Sequence, residues 1–281
     1  MAFVPAPDPA DSANWGGAVT TGQYNTLIGG LAGDAITTGD YNVSLGTLAL
    51  SADTLGDRSI AIGYQALATQ NFTTSTSTYN TAVGFQAGTA VTTGAENTLI
   101  GGLAGDALTD ADGNVALGAY ALSSDTLGSD SVAVGNNALF NQNFTTATDA
   151  YNVAVGKNAG LSVTTGTSNT LIGGLAGDAL QTGSYSTAVG RGSLSAACSD
   201  HNTAVGYDAC GALVEGGHNV AVGLAAMRTG NGANNVCIGS ATGYNLGAST
   251  ANSTFVGREA GHNVSSGDGN TFVGFEAGKS T

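Results

Sequence analysis

Apolar residues in this chain fall in short, regularly spaced pairs and never at helical spacing. From Asn25 onward a five-residue core recurs: Asn or Ser, then Thr, Val or Ile, a variable residue, then Val, Ile or Leu, and a closing Gly. It first reads Asn25-Thr-Leu-Ile-Gly29 and last reads Asn270-Thr-Phe-Val-Gly274, in fifteen copies. Most closing glycines stand 17 residues apart, while two steps are 21, two are 16 and one is 18. Such a pattern predicts short strands and turns with no helix. One such turn cannot bury its apolar face alone, so the copies must stack as coils of a solenoid. Residues alternate faces along a strand. The fourth position is apolar in every coil, so it is expected to line the coil interior, and the Ala-rich third position to face outward.

A longer period lies over the coils. The segment Asn-Thr-Leu-Ile-Gly-Gly-Leu-Ala-Gly-Asp-Ala occurs identically at 25–35, 97–107 and 169–179, a spacing of 72 residues or four coils. Each 21-residue step carries an additional loop beginning Asn-Phe-Thr-Thr, at Asn71 and Asn143. The closing Gly supplies a bend, and Thr-Thr-Gly (Thr37-Thr38-Gly39) a further turn. Asn at the first position is expected to form a hydrogen-bonded ladder from coil to coil. With strands about 4.8 Å apart, fifteen coils predict a rod on the order of 70 Å long.

Composition agrees with a repeat architecture. Charged residues make up 9% of the chain, against about 25% in an ordinary soluble domain. Gly occurs 45 times, and its lawful spacing, with 42% hydrophobic content, argues against a disordered linker. A net charge of −14 repels phosphate backbones, so nucleic acid is not an expected partner. No apolar run reaches the length of a membrane span, and the first residues lack the pattern of a signal peptide. Cys198, Cys210 and Cys237 give no disulfide framework and are read as small buried or half-buried residues.

The run Ser131-Val-Ala-Val-Gly135 with Ala138, and Asn80-Thr-Ala-Val-Gly-Phe-Gln-Ala-Gly88, resemble the head repeats of trimeric autotransporter adhesins and repeats in bacteriophage tail fibres and virion surface proteins. The resemblance covers residues 18–281 and implies a parallel β-roll assembled as a trimer. The coil here is longer than the adhesin coil, and no signal peptide, coiled-coil stalk or membrane anchor is read in the chain. The expectation is therefore a non-enzymatic virion surface protein: a capsid decoration protein, a head fibre or a short tail fibre, made in a host cytoplasm. The alternative is a receptor- or glycan-binding adhesin module; a third reading is a polysaccharide-degrading enzyme. Expected partners are two further copies of the chain, other virion proteins of capsid, portal or tail, and a cell-surface glycan.

Candidate residues follow from this frame. Residues 1–17 read as an extended Pro-containing arm ahead of the roll at 18–281; Phe3, Pro5, Pro7, Pro9 and Trp15 are attachment candidates, Trp15 also as a cap. Asn71, Phe72, Thr73, Asn143, Phe144 and Thr145 are candidates for projecting surface-binding loops. Ala61, Ala82, Ala116, Ala133, Ala154, Phe255 and Phe272, at the third motif position, are trimer-interface candidates on an outward stripe. The exposed aromatics Tyr64, Phe85, Tyr207 and Phe275 are read as platforms for sugars or for chain contacts. His201 and His218 precede the motif Asn, where other coils carry Tyr24, Tyr41, Tyr79, Tyr151 and Tyr185, so they should stack as an aromatic ledge; a metal is the lesser reading. Asp34, Asp106 and Asp178 end Gly-rich runs but lack the nine-residue spacing of calcium-binding rolls. No catalytic set, cofactor site or metal site emerges.

Overall fold

The computed structural model describes residues 18–280, so Phe3, Pro5, Pro7, Pro9, Trp15 and the division at residue 17 lie outside the described residues. The chain is all-β and forms two compact units: one holds residues up to Asn137 with Asn143–Asp149, the other Ala138–Gln142 with the residues from Ala150. In the first unit the strands Thr26–Ile28, Val43–Leu45, Ile60–Ile62, Thr81–Val83, Thr98–Ile100, Val115–Leu117 and Val132–Val134 pair in parallel, in that order. The second pairs Val153–Val155, Thr170–Ile172, Thr187–Val189, Thr203–Val205, Val220–Val222, Val236–Ile238, Thr254–Val256 and Thr271–Val273 in the same way. Each unit is a parallel β-solenoid with one motif per turn, and no helix occurs among the described residues. Motif pairs with motif in register, as Thr81, Ala82 and Val83 do with Thr98, Leu99 and Ile100.

The motif Asn sets this register. Asn97 Oδ1 accepts the backbone N–H of Asn114 in the next coil at 3.0 Å, and Asn97 Nδ2 donates to the carbonyl of Ala111 at 2.8 Å. Asn97's own N–H donates to Asn80 Oδ1 at 2.9 Å. The same bonds run through Asn152, Asn169 and Ser186 in the second unit. These side chains are fully buried, and burial of an amide is tolerable only because each group finds a partner. The ladder thus runs from side chain to next-coil backbone.

The closing Gly is demanded by backbone contact. Gly118 has φ of 139°, and a Cβ there would stand 2.6 Å from the Gly135 carbonyl oxygen of the next coil. No side chain fits between such stacked bends, and only Gly takes this conformation without strain.

The interior is the reverse of the one expected from alternation. Ala61, Ala82, Ala116, Ala133, Ala154 and Phe255 are wholly buried inside the coil, while the second and fourth motif positions face outward and are half-buried or exposed. Phe272 is half-buried and also turns inward, stacked on Phe255 at 5.5 Å between ring centres. These residues are therefore core residues of one chain and form no outward stripe. The reason is volume. The third position shares a thin cross-section with the residue four places after the closing Gly. Where the third is large the other is Gly, as in Leu99 with Gly105, Leu171 with Gly177 and Phe255 with Gly261; a Cβ on Gly105 would lie 2.7 Å from the Leu99 side chain. In other coils the third is Ala and the other is large, as in Ala61 with Leu67, Ala116 with Leu122 and Ala221 with Met227. Those leucines adopt the left-handed backbone, with φ of 49° at Leu67 and 54° at Leu122, a strained state that burial of the side chain offsets.

This pairing makes a direct test. Leu99→Ala opposite Gly105 should leave a cavity and cost about 2–5 kcal/mol. Adding Gly105→Cys recreates the Ala204–Cys210 pair, which likewise stands in a coil with a buried leucine (Leu213, as Leu108 here), and should restore part of the loss. Equal destabilisation of the single and double variants in urea unfolding would show that the two sites do not share one space.

Candidate functional site

Because coils stack in register, each outward position becomes a column of side chains along the roll. The residue before the motif Asn takes the left-handed backbone, with φ of 58° at Tyr24, 59° at Tyr41 and 63° at Arg58. In the first unit Tyr24 stacks on Tyr41 at 4.8 Å, and the Arg58 guanidinium lies over Tyr41 at 5.4 Å and Tyr79 at 5.8 Å. In the second unit Tyr185 stacks on His201 at 5.0 Å and His201 on His218 at 4.7 Å. The two imidazoles form the expected ledge. Their planes are 7° from parallel, so their in-plane lone pairs cannot converge on one ion.

A second pair of columns follows the closing Gly. In the first unit Tyr64 stacks on Phe85 at 5.5 Å, and beside them Gln86 Nε2 donates to Gln65 Oε1 at 2.7 Å. The next rung is Gly102. In the second unit the corresponding bare rung is Gly174, with Lys157 on one side and Arg191 on the other; Leu175 N–H donates to the Lys157 carbonyl and Gly192 N–H to the Gly174 carbonyl. Arg191 lies over Tyr207 at 5.6 Å, and Arg258 over Phe275 at 5.6 Å. Farther along, Arg228 pairs with Asp208 at 3.4 Å and donates to Tyr244, which stacks on His262 at 5.1 Å. Each of the four aromatics expected as platforms therefore has one face already covered.

The inserted loops differ from expectation at their centres. Asn71, Thr73, Asn143 and Thr145 are exposed, but Phe72 and Phe144 are buried, leaving about 7% and 6% of their surface accessible. The Phe rings anchor the loops and are not available as binding surface. Asp53, fully buried, accepts from the N–H groups of Gly56 and Phe72 at 3.1 Å each and from Gln70 Nε2 at 2.6 Å. Asp125 accepts from Gly128 and Phe144 in the same manner. Burial pushes the Asp53 carboxyl above the ordinary carboxylate range, and these hydrogen bonds oppose the shift. Aspartates at 53 and 125, each followed by Leu-Gly two residues later, were the sequence signal that the coil before each loop differs. Deleting the loop tips would remove a donor from a buried carboxylate, so the loops are structural parts of their coils.

The remaining polar groups give no reactive set. An open notch of about 530 Å³ in the second unit is lined by Thr182, Cys198, Asp200, His201 and His218, among others. Burial pushes the Cys198 thiol up to about 11, and Asp200 already accepts the Ser184 N–H at 2.8 Å. Cys210 and Cys237 are fully buried and free, with the Cys237 thiol pushed up to about 12. Among the described residues no group of three His, Cys, Asp or Glu is placed to hold a metal. Asp106 accepts from the Ser123 hydroxyl at 2.6 Å, and Asp34 and Asp178 belong to no such group either.

No protein-family model matches the chain, and no curated protein and no solved structure matches it.

Two outcomes follow from this surface. Asp53→Ala should cost on the order of 2–3 kcal/mol by orphaning buried N–H donors, whereas the exposed Thr73→Ala should be nearly neutral; equal midpoints in thermal unfolding would contradict the anchor. A thiol with a pKa near 11 is about one-thousandth ionised at pH 8. Iodoacetamide at pH 8 should therefore leave all three cysteines unmodified in the native protein and alkylate all three in denaturant, as read by intact mass. Rapid native labelling would place a thiol at the surface.

Proposed function

We propose that the chain is a structural surface protein of a virus particle, built as a homotrimer and without enzymatic activity: a decoration protein, head fibre or short tail fibre. The reading rests on the repeat itself and on its likeness to head-repeat and fibre sequences. The observation that carries it is the outward face of the sheet. In the first unit this face bears Ile28, Leu45, Ile60 and Leu117, each more than a third exposed, interleaved with Thr and Val. In the second unit it bears Ile172, Ile238 and Val273. The second and fourth motif positions carry no charge in any coil, although the chain as a whole is strongly acidic. An uncharged face of this kind, with large apolar side chains exposed in each unit, marks an association surface. A second copy suits it best, because both faces then repeat at the same strand spacing and every coil meets an equivalent coil. The trimer contact thus moves from the third motif position to the second and fourth.

Light scattering should give three times the 27.3 kDa chain mass. Ile60→Lys with Leu117→Lys should yield a monomer that retains the β-sheet circular dichroism of the parent, because both side chains point out of the coil. A wild-type chain that stays monomeric at micromolar concentration would overturn the trimer. Immunogold labelling of particles would then place the protein: label over the whole capsid supports decoration, label at the tail alone supports a fibre, and unlabelled particles reject the virion role.

A further inference from the structure

The Tyr64–Phe85 column ends at a rung that has no side chain. Phe85 is 53% exposed, and its ring lies 16° from parallel with Tyr64, so one face meets Tyr64 and the other looks along the roll toward Gly102. The rungs follow one another directly: Gln86 N–H donates to the Tyr64 carbonyl at 2.8 Å, Leu103 N–H to the Phe85 carbonyl at 2.9 Å, and Tyr120 N–H to the Gly102 carbonyl at 3.0 Å. Ala119 is the rung after Gly102. A Cβ placed on Gly102 would meet nothing within 4 Å. The column is therefore interrupted by an open slot, with the Phe85 ring as one wall and the Ala119 methyl as the other.

We infer that this slot binds a neutral hexopyranose whose ring hydroxyls are equatorial, inserted as the missing member of the stack. Rungs are about 4.8 Å apart, so removing one side chain leaves a gap about one ring thick. Both walls are apolar, and the neighbouring side chain on the Gly102 rung is Leu103. A pyranose with equatorial hydroxyls has two faces of C–H groups and a polar rim. Its faces then meet Phe85 and Ala119 while its rim meets water and one side-chain amide. Gln86 Nε2 is committed to Gln65, which orients the Gln86 amide and leaves its carbonyl oxygen to accept a sugar hydroxyl. An axial hydroxyl would instead be pushed against a wall that offers it no hydrogen bond, a cost that discriminates between epimers. A protein aromatic side chain would fill the same thickness but would leave the Gln86 carbonyl unused. This inference goes beyond the structural role and does not depend on the trimer.

The full chain is titrated with cellotetraose and, separately, with a β-1,4-galactotetraose, in which the 4-oxygen of every unit is axial, and followed by saturation-transfer NMR. Two variants carry the test. Phe85→Ala removes a wall. Gly102→Tyr fills the slot without strain, since Gly102 lies outside the left-handed backbone region and its side chain would enter open space. Expected is transfer to the axial ring protons of cellotetraose, at least tenfold weaker binding by each variant, and at least tenfold weaker binding of the galactose polymer. No transfer to the wild type at 10 mM sugar overturns the site, as does binding that survives in Gly102→Tyr. Equal binding of the two sugars overturns the equatorial requirement. The assembly mass is read by light scattering on the same samples: a mass that changes in Gly102→Tyr, with no sugar bound by the wild type, would assign the slot to chain contacts and reject the inference. The trimer itself stands or falls on the wild-type mass alone.

Discussion

The buried Asn at the head of each motif is the interaction on which the rest of the structure depends. A short strand that starts directly after a left-handed turn has a backbone N–H in the interior with no strand partner. The Asn Oδ1 of the preceding coil takes it, and the Nδ2 ties down a carbonyl in the turn three residues before that N–H, as Asn97 does for Asn114 and Ala111. Both bonds require one coil to sit on the next without slippage, because a displaced coil would strand amides where water cannot reach them. Where Ser replaces Asn the shorter side chain still accepts, as Ser253 Oγ does from Asn270 N–H at 3.1 Å.

Once the register is held this way, surface chemistry becomes a matter of columns. A side chain at one outward position always lies over its equivalent one coil away, at a distance suited to stacked rings. Tyr, His and Arg then stabilise each other face to face, and this explains why aromatic and guanidinium groups can sit exposed at left-handed positions that would otherwise disfavour them. The same regularity makes a glycine in a column informative. At Gly102 it interrupts an aromatic stack and opens a slot. At Gly174 it leaves a bare rung between Lys157 and Arg191.

The thinness of each coil is the second constraint. Its cross-section holds one large side chain where the motif's third residue meets the residue four after the closing Gly, so size is traded between those two places from coil to coil. Ala82 and Ala154 face Gly88 and Gly160 at the coils where neither is large, and leucines of adjacent coils, Leu67 with Leu99 and Leu139 with Leu171, fill the space. Packing is thus solved between coils as well as within them. In the first unit the Asp53 network belongs to the same economy of space, since the longer coil brings a Phe inward and needs a buried acceptor for its N–H.

By itself the sequence determined the β class, the number and length of the turns, the register of motif on motif, the closing bend and the stacking of His201 with His218. All of these follow from spacing, because equal spacing forces equal positions into columns. It left undecided which strand face points inward. Alternation separates Ala154 from Val153 and Val155 but assigns neither side, and apolarity misleads when the outward face is itself apolar. Only the tertiary structure decided this, through the volume available opposite the third position. The signal lay in the sequence as the reciprocal sizes of Leu99 with Gly105 and Ala116 with Leu122, yet it has meaning only once the two positions are known to meet. The burial of Phe72 and Phe144 was hidden for the same reason: a loop reads as polar until a partner such as Asp53 is seen to hold its backbone inside.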